Sequence, residues 1–452
     1  MKSQSTHPHL YGSNISPNDQ RTAFTNAAIP VAVYGLGKMG LPLATVFAET
    51  TGNTVGVDID EKVVEQVGAG KCPVENEPGL EAAVASTVSA GSLRTSSDPV
   101  AAASSARVHV VIVPTTLKDD REPNLQNLRT AVRDIGRGLS SGDLVVIEST
   151  VPPGTCSELV APLLGEESGL SSTQFGVAFC PERTYSGRAI QDIRGAHPKV
   201  VGGIDAESTR AATLIYEQLV DNEVIQVSDA TTAEAVKIFE GVYRDVNIAL
   251  ANELSGLTDE WGIDVNEAIS VANTQPYCQI HDPGPGVGGH CIPYYPYFLL
   301  SRCGFDAKLV RTARETNERM PNSTVQKLLN RLVAQDIDPA DASILLFGVT
   351  YRPGVKETRE SPTLAIAELL SEQVAEVFAV DPMLDDMSEV EATPVTLDEI
   401  YDLDLDGVVM ITPHEEFNEI DWSALDGQVV IDGRNTLGLT DSDRDIYTIG
   451  SG

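Results

Sequence analysis

The sequence predicts an α/β protein laid out as α/β, helical middle, α/β. Short apolar runs alternate with helical stretches at both ends of the chain. The segment between them, from about residue 230 to 272, has helical spacing and no strand signal. The 452 residues exceed one ordinary core, so two or three domains are expected.

Residues 1–28 are polar and read as a loose, disordered tail. They lack the basic-then-apolar order of a secretory signal. PVAVY at 30–34 is an apolar run that ends in glycines, the pattern of a buried parallel strand. A helix follows from Gly40 to about Thr50, then strands at 54–57, 108–113, 144–148, 175–179 and 199–202. These make a first domain over 29–215. The run AEAVKIFEGVYRDVNIALANELSGL is one long helix or a pair, with Gly241 and Gly256 as weak points. The segment DPGPGVGGHCIPYYPYF at 282–298 holds too much glycine and proline for a regular element and forms a shaped loop. Both belong to a central helical domain over 216–325. Strands at 343–348, 376–380, 407–411 and 428–431 give a second α/β alternation over 326–452.

The net charge is −35, and only 10 of the 31 basic residues are lysine. Such a surface repels nucleic acid and anionic lipid. An anionic substrate would need local positive charge against that field. No apolar run reaches the roughly 18 residues of a membrane span, and the cytoplasm is the default location. None of the six cysteines sits in a CxxC pair, so no metal site is expected and the thiols stay reduced.

Gly35-Leu36-Gly37-Lys38-Met39-Gly40 matches GxGxxG after a strand and at the start of a helix. Asp58 closes the next strand, 21 residues beyond Gly37. That context makes the first domain a Rossmann domain with a dinucleotide site. Gly35 permits the turn, Gly37 lets the pyrophosphate approach, and Gly40 lets the helix pack. Asp58 would hold a ribose diol and repel a 2′-phosphate, so NAD is the expected cofactor.

Cys291 follows two glycines in Gly288-Gly289-His290-Cys291. Spacing alone leaves it open whether Cys291 is a nucleophile or a small buried apolar side chain. Lys237 and Arg244 are seven residues apart on the central helix and share a face, with Asn247 and Asn252 nearby.

Together the stretches VYGLGKMGLPLA, ESTVPPGT, CPER, AEAVKIFEGVYRDVNIALANEL, GPGVGGHCIP, RESPTLAIAELL and IDGRN resemble the UDP-glucose/GDP-mannose dehydrogenase family from about residue 29 to 435. The resemblance implies an N-terminal NAD domain, a central helical domain and a C-terminal Rossmann-like UDP-binding domain. GGHC with RDVNIALANE is most similar to the branch acting on UDP-N-acetylhexosamines, UDP-N-acetyl-D-mannosamine in particular; UDP-GlcNAc and UDP-glucose are the nearest rival substrates.

The implied chemistry is a four-electron oxidation with two NAD per sugar, through a thiohemiacetal and a thioester on Cys291. The resemblance makes Lys237 the oxyanion stabiliser and Glu182 the water-activating carboxylate. It sets Thr150 beside the nicotinamide and adds Thr115 to the cofactor site. Gly288, His290, Arg244, Asn247, Arg352, Arg359 and Arg434 are implied as substrate-binding groups, and a homodimer through the central helices is implied as well. The chain departs from the family pattern at four places: Tyr295 stands where Asp is usual, Gly241 where Asn is usual, Thr116 where proline is frequent and Arg352 where lysine is common. Tyr295 and Gly241 support the alternative of a catalytically silent nucleotide-sugar sensor.

The acid-rich, lysine-poor composition fits high salt, where a Debye length of about 3 Å at 1 M quenches self-repulsion. Dialysis to low salt should therefore abolish activity; full activity after dialysis would refute the salt adaptation.

Overall fold

The computed structural model describes residues 8–185, 187–425, 427–439 and 444–452. It divides into two compact units, residues 1–239 with 297–302, and residues 240–296 with 303–452.

The first unit is built on an eight-stranded sheet. Its strands, named by first residue, run in the order Val224, Lys199, Gly176, Leu144, Val108, Val31, Thr54, Leu93. All neighbours are parallel except Gly176–Phe179 against Lys199–Gly203. Alternate residues of each strand feed opposite cores, as a period of two demands. Val31, Val33, Val108 and Val110 face one side with Leu41 and Phe47. Ala32, Tyr34, Val145 and Ile147 face the other with Leu128 and Val132. The order places Gly35 and Asp58 at the carboxyl ends of adjacent central strands, where doubly wound sheets bind ligands.

The predicted strands are present, most of them a residue or two shorter than expected. Six further strands carry no apolar run: Leu93–Ser96, Val224–Gln226, Thr393–Pro394 and Asp445–Thr448 lie at sheet edges, and Thr116–Leu117 and Pro123–Asn124 pair with each other. The tail is a correction. Pro17–Thr25 forms a helix, capped at its N-terminus by the Ser16 hydroxyl, which accepts the Asp19 N–H. Leu10 and Phe24 are buried in the first core. Arg210 donates to the Leu10 carbonyl at 2.8 Å, and the Tyr11 hydroxyl donates to Asp205 at 2.9 Å. Residues 1–7 lie outside the described residues. The sequence missed this segment because its few apolar residues have no periodic partners nearby; their partners are nearly 200 residues away.

The helix Ala230–Ser255 leaves the first unit and enters the second. It runs unbroken through Gly241 and stops just before Gly256. The second unit holds a six-stranded parallel sheet in the order Thr393, Glu376, Ser343, Gly407, Val429, Asp445. Ile344 and Leu346 face the helices Lys308–Ala334 and Pro362–Ser371 through Leu328, Leu332 and Ile366. Leu345 and Phe347 face Phe417 and Leu425. Where a loop was expected up to residue 298, a short helix, Tyr295–Leu300, begins early.

If residues 17–25 are core rather than tail, Phe24→Ala should destabilise the protein by about 3–5 kcal/mol. Urea unfolding checks this, and an unchanged midpoint would return the segment to a tail.

Candidate active site

In the first unit the strand Val31–Tyr34 ends at Gly35, whose φ of 99° favours glycine. A Cβ there would lie 2.6 Å from the Ile112 carbonyl oxygen. At Gly40 a Cβ would lie 2.8 Å from the carbonyl carbon of Gly35. Gly37 is different: it is exposed, and an added Cβ would meet nothing within 4 Å. Two glycines thus close the turn while the third leaves open space. No side chain caps the helix Gly40–Thr51 at Met39; the Leu41 N–H donates to the Gly37 carbonyl at 3.0 Å, so the turn closes on its own backbone, and the positive end of the helix dipole faces the open side of Gly37. The exposed Lys38 sits in the same turn. This cradle fits the diphosphate of a dinucleotide.

Asp58 braces the loop. Its Oδ2 accepts the Leu36 N–H at 2.8 Å and its Oδ1 accepts the Asp60 N–H at 3.0 Å. A carboxylate offers about four lone-pair positions, so capacity remains for a diol. The Thr115 hydroxyl donates to the Thr150 carbonyl at 2.7 Å, which joins two of the expected site residues.

Lys237 is 7% exposed, and its ammonium donates to the backbone carbonyl of Glu182. It also lies 3.5 Å from Glu182 Oε2. Burial by itself pushes the Glu182 carboxyl up. The Lys237 charge, the hydroxyl and N–H of Thr184 and the Lys199 charge outweigh burial and hold it below the usual range. The Thr184 hydroxyl also lies 3.1 Å from Met39 Sδ, so the glycine turn and the Glu182 loop touch. Beneath them Lys199 donates to Glu148 at 2.8 Å and to the Pro181 carbonyl at 3.2 Å, and Tyr216 donates to Glu148. Glu234, three residues before Lys237, accepts the N–H groups of Gly154 and Cys156 (the latter at 2.8 Å) and ties its helix to the loop after Thr150. Thr184, Lys199 and Glu234 escaped the sequence analysis. Only Glu234 left a trace, as an acid inside an apolar helical run.

In the second unit Cys291 alone among the six cysteines is exposed, which removes the buried alternative. The loop before it is held glycine by glycine. A Cβ on Gly284 would lie 2.9 Å from Arg434 Cζ, one on Gly286 3.0 Å from Pro362, one on Gly288 2.7 Å from the Glu360 carbonyl oxygen, and one on Gly289 2.9 Å from the Tyr351 ring. On their Cβ sides these glycines make room for the protein's own groups. The Gly289 N–H donates to the Arg359 carbonyl at 2.9 Å.

His290 pairs with Glu357, and the Arg359 side chain is 4.0 Å from the same carboxylate. Arg352 lies 6.0 Å from the centre of the Tyr351 ring. Arg434 is half-buried, and burial lowers its guanidinium to about 10, with Asp282 opposing. It remains a cation at neutral pH. Its guanidinium donates to the carbonyls of Ile411 at 3.0 Å and Gly286 at 3.4 Å.

The expected residues of the central helix differ in their surroundings. Arg244 is exposed whereas Lys237 is buried, so they share a helical face but not an environment. Asn247 donates to the Gln279 carbonyl at 2.7 Å and accepts the His281 N–H at 2.8 Å. Its amide holds the 279–281 turn.

The family models match in the same order. Residues 29–220 match the NAD binding domain of the UDP-glucose/GDP-mannose dehydrogenase family, 231–319 its central domain and 345–438 its UDP binding domain. The UDP-N-acetyl-D-mannosamine dehydrogenase of Pyrococcus horikoshii is 37% identical over 90% of this chain and 96% of that protein. An NDP-N-acetyl-D-galactosaminuronic acid dehydrogenase of Ralstonia nicotianae is 35% identical over 89% of this chain and 95% of that protein. A solved structure of UDP-D-ManNAc dehydrogenase from Pyrococcus horikoshii superposes with a TM-score of 0.86 at 35% identity, covering 94% of this chain and 100% of that one. The glycine turn, the aspartate after the second strand and these matches together show that the chain is an NAD-dependent dehydrogenase of the UDP-glucose/GDP-mannose dehydrogenase family.

Proposed function

We propose that the protein oxidises UDP-N-acetyl-D-mannosamine at C6 to the uronate, with Cys291 as nucleophile. The observation that carries this is the exposure of Cys291 alone among six thiols, on a loop whose other residues are mostly packed. The names of the Pyrococcus relatives support the sugar.

NAD, when bound, takes one hydride from C6 in each of the two oxidations. At the aldehyde stage the Cys291 thiolate adds to C6 and forms a C–S bond. The oxygen becomes an oxyanion, for which Lys237 supplies an ammonium. After the second oxidation water attacks the thioester, its proton passes to Glu182, the C–S bond breaks and the thiolate is released. Tethering keeps the aldehyde from leaving between the two oxidations. Thr150 and Thr115 border the reacting carbon and the cofactor. Arg434, Arg359 and Arg352 serve the UDP phosphates, to which a guanidinium fork is suited; His290, Arg244 and Gly288 complete the substrate contacts.

The 29–215, 216–325 and 326–452 division assigns these tasks to three domains. A homodimer through the central helices is supported by Phe239, Tyr243 and Leu250, which are 58%, 51% and 48% exposed on one helix. Among the described residues no helix is long and apolar enough to cross a membrane, and a cytoplasmic site of action is part of the proposal.

Two experiments test it. NADH formed per mole of sugar, in molar KCl with UDP-ManNAc, UDP-GlcNAc and UDP-glucose side by side, should be two with UDP-ManNAc. Two with another sugar moves the specificity; one or none overturns the reaction. Cys291→Ala should abolish acid formation.

The second concerns Glu182. Its pKa is depressed, so the base is present above that value and lost as pH falls through it. Thr184→Val removes a hydrogen bond to the charged form, and burial then gains. The acid limb of kcat/KM should move to higher pH; an unmoved limb excludes Glu182 as the base.

A further inference from the structure

Gly241 sits in the interior of the 26-residue helix Ala230–Ser255, where glycine is a poor helix former. Its φ is not in the left-handed region, so backbone conformation does not require it. What requires it is Tyr295. A Cβ on Gly241 would lie 2.9 Å from Cγ and 3.0 Å from Cβ of Tyr295, and closer still to Cδ2. The aromatic side chain therefore packs against the bare helix turn, and Tyr295 is only 6% exposed. The same residue is tied to the nucleophile. The N–H of Tyr295 donates to the Cys291 carbonyl at 3.0 Å, and that of Tyr294 donates to it at 3.1 Å. Upstream, Gly288 and Gly289 are wedged against Tyr351 and Glu360. The main chain of Cys291 is thus gripped from both sides, and one grip ends on Gly241.

We propose that Gly241 and Tyr295 are a single coupled positioning device: the Tyr295 ring, seated where Gly241 has no side chain, fixes the backbone of Cys291 and so the place of its thiol. The ring does this, not the phenol, and Tyr295 is a positioning residue rather than an acid or base. The two residues that look like independent losses in the sequence are then one exchange of volume between a helix and a loop. This rests on Cys291 being the nucleophile.

The test is a double-mutant cycle read by kcat and by the pH profile of Cys291 alkylation with iodoacetamide, which needs no turnover. Gly241→Ala drives a methyl group into the ring and should lower kcat by about a hundredfold, the order expected when a reacting group is misplaced by an ångström. It should also change the alkylation profile while NAD affinity stays the same. In a Tyr295→Ala background the same change should do no further harm, because the ring it strikes is gone. Tyr295→Phe keeps the ring and should retain both kcat and the alkylation profile. Equal effects of Gly241→Ala in the two backgrounds would overturn the coupling. A large loss in Tyr295→Phe would make the phenol chemical and overturn the positioning role, even if Gly241→Ala fails to fold. Failure of the nucleophile assignment shows separately, as two NADH per sugar from Cys291→Ala.

Discussion

The loop that carries Cys291 has no regular structure, so something else must fix its backbone, and a chain of buried amides begins that task. The Gly284 N–H donates to Asn252 Oδ1 at 2.9 Å, Asn252 donates to Asn317 at 2.9 Å, and Asn317 donates to the carboxylate and carbonyl of Asp245 at 2.8 and 2.9 Å. Arg314 lies 3.3 Å from the same carboxylate. Burial, opposed by Arg314 and Asn317, raises Asp245 to about 6. The network joins the helices Ala230–Ser255 and Lys308–Ala334 at one depth and hands their register to the first glycine of the loop. In a low-dielectric interior each member left without its partner is expensive, so the arrangement favours one geometry over near neighbours.

The two α/β domains share an architecture but differ at an equivalent aspartate. Asp58 and Asp381 each follow the second strand of their sheet and accept N–H groups from the loop after the first. Asp58 is half-buried and takes one amide on each oxygen. Asp381 is 6% exposed. Its Oδ2 receives the N–H groups of Val349 and Thr350 and the Thr350 hydroxyl, with His414 Nε2 3.1 Å away. Its Oδ1 receives the Met383 N–H. A saturated, enclosed carboxylate has no place for a ribose diol. This is a physical reason why only the first of two similar sheets carries the dinucleotide signature.

Much of the fold was legible because buried parallel strands are nearly pure apolar runs; Val31–Tyr34 and Ser343–Phe347 are examples. The strands that escaped notice are edge strands, where Arg94 or Glu223 and Gln226 replace that signal. In the site, GxGxxG and Asp58 were legible because backbone geometry dictates their residue types. The packing of Gly288 against Tyr351 and Glu360 was not, since both neighbours lie more than sixty residues on. Nor was the work of Asn247, whose amide reaches a turn more than thirty residues on. Thr184 was silent because its effect on Glu182 depends on where two side chains point.

The helix Pro17–Thr25 packs on the helix Ala206–Leu219, with Arg21 paired to Glu217 at 2.8 Å. A contact between residues almost two hundred apart has a consequence for synthesis. The first of these helices also touches the nearer helix Gly40–Thr51, but its larger partner follows only after most of the Rossmann sheet. The first unit therefore completes this packing late. Such long-range closure slows folding relative to a local hairpin or helical bundle, and it leaves Leu10 and Phe24 in water while the nascent chain grows.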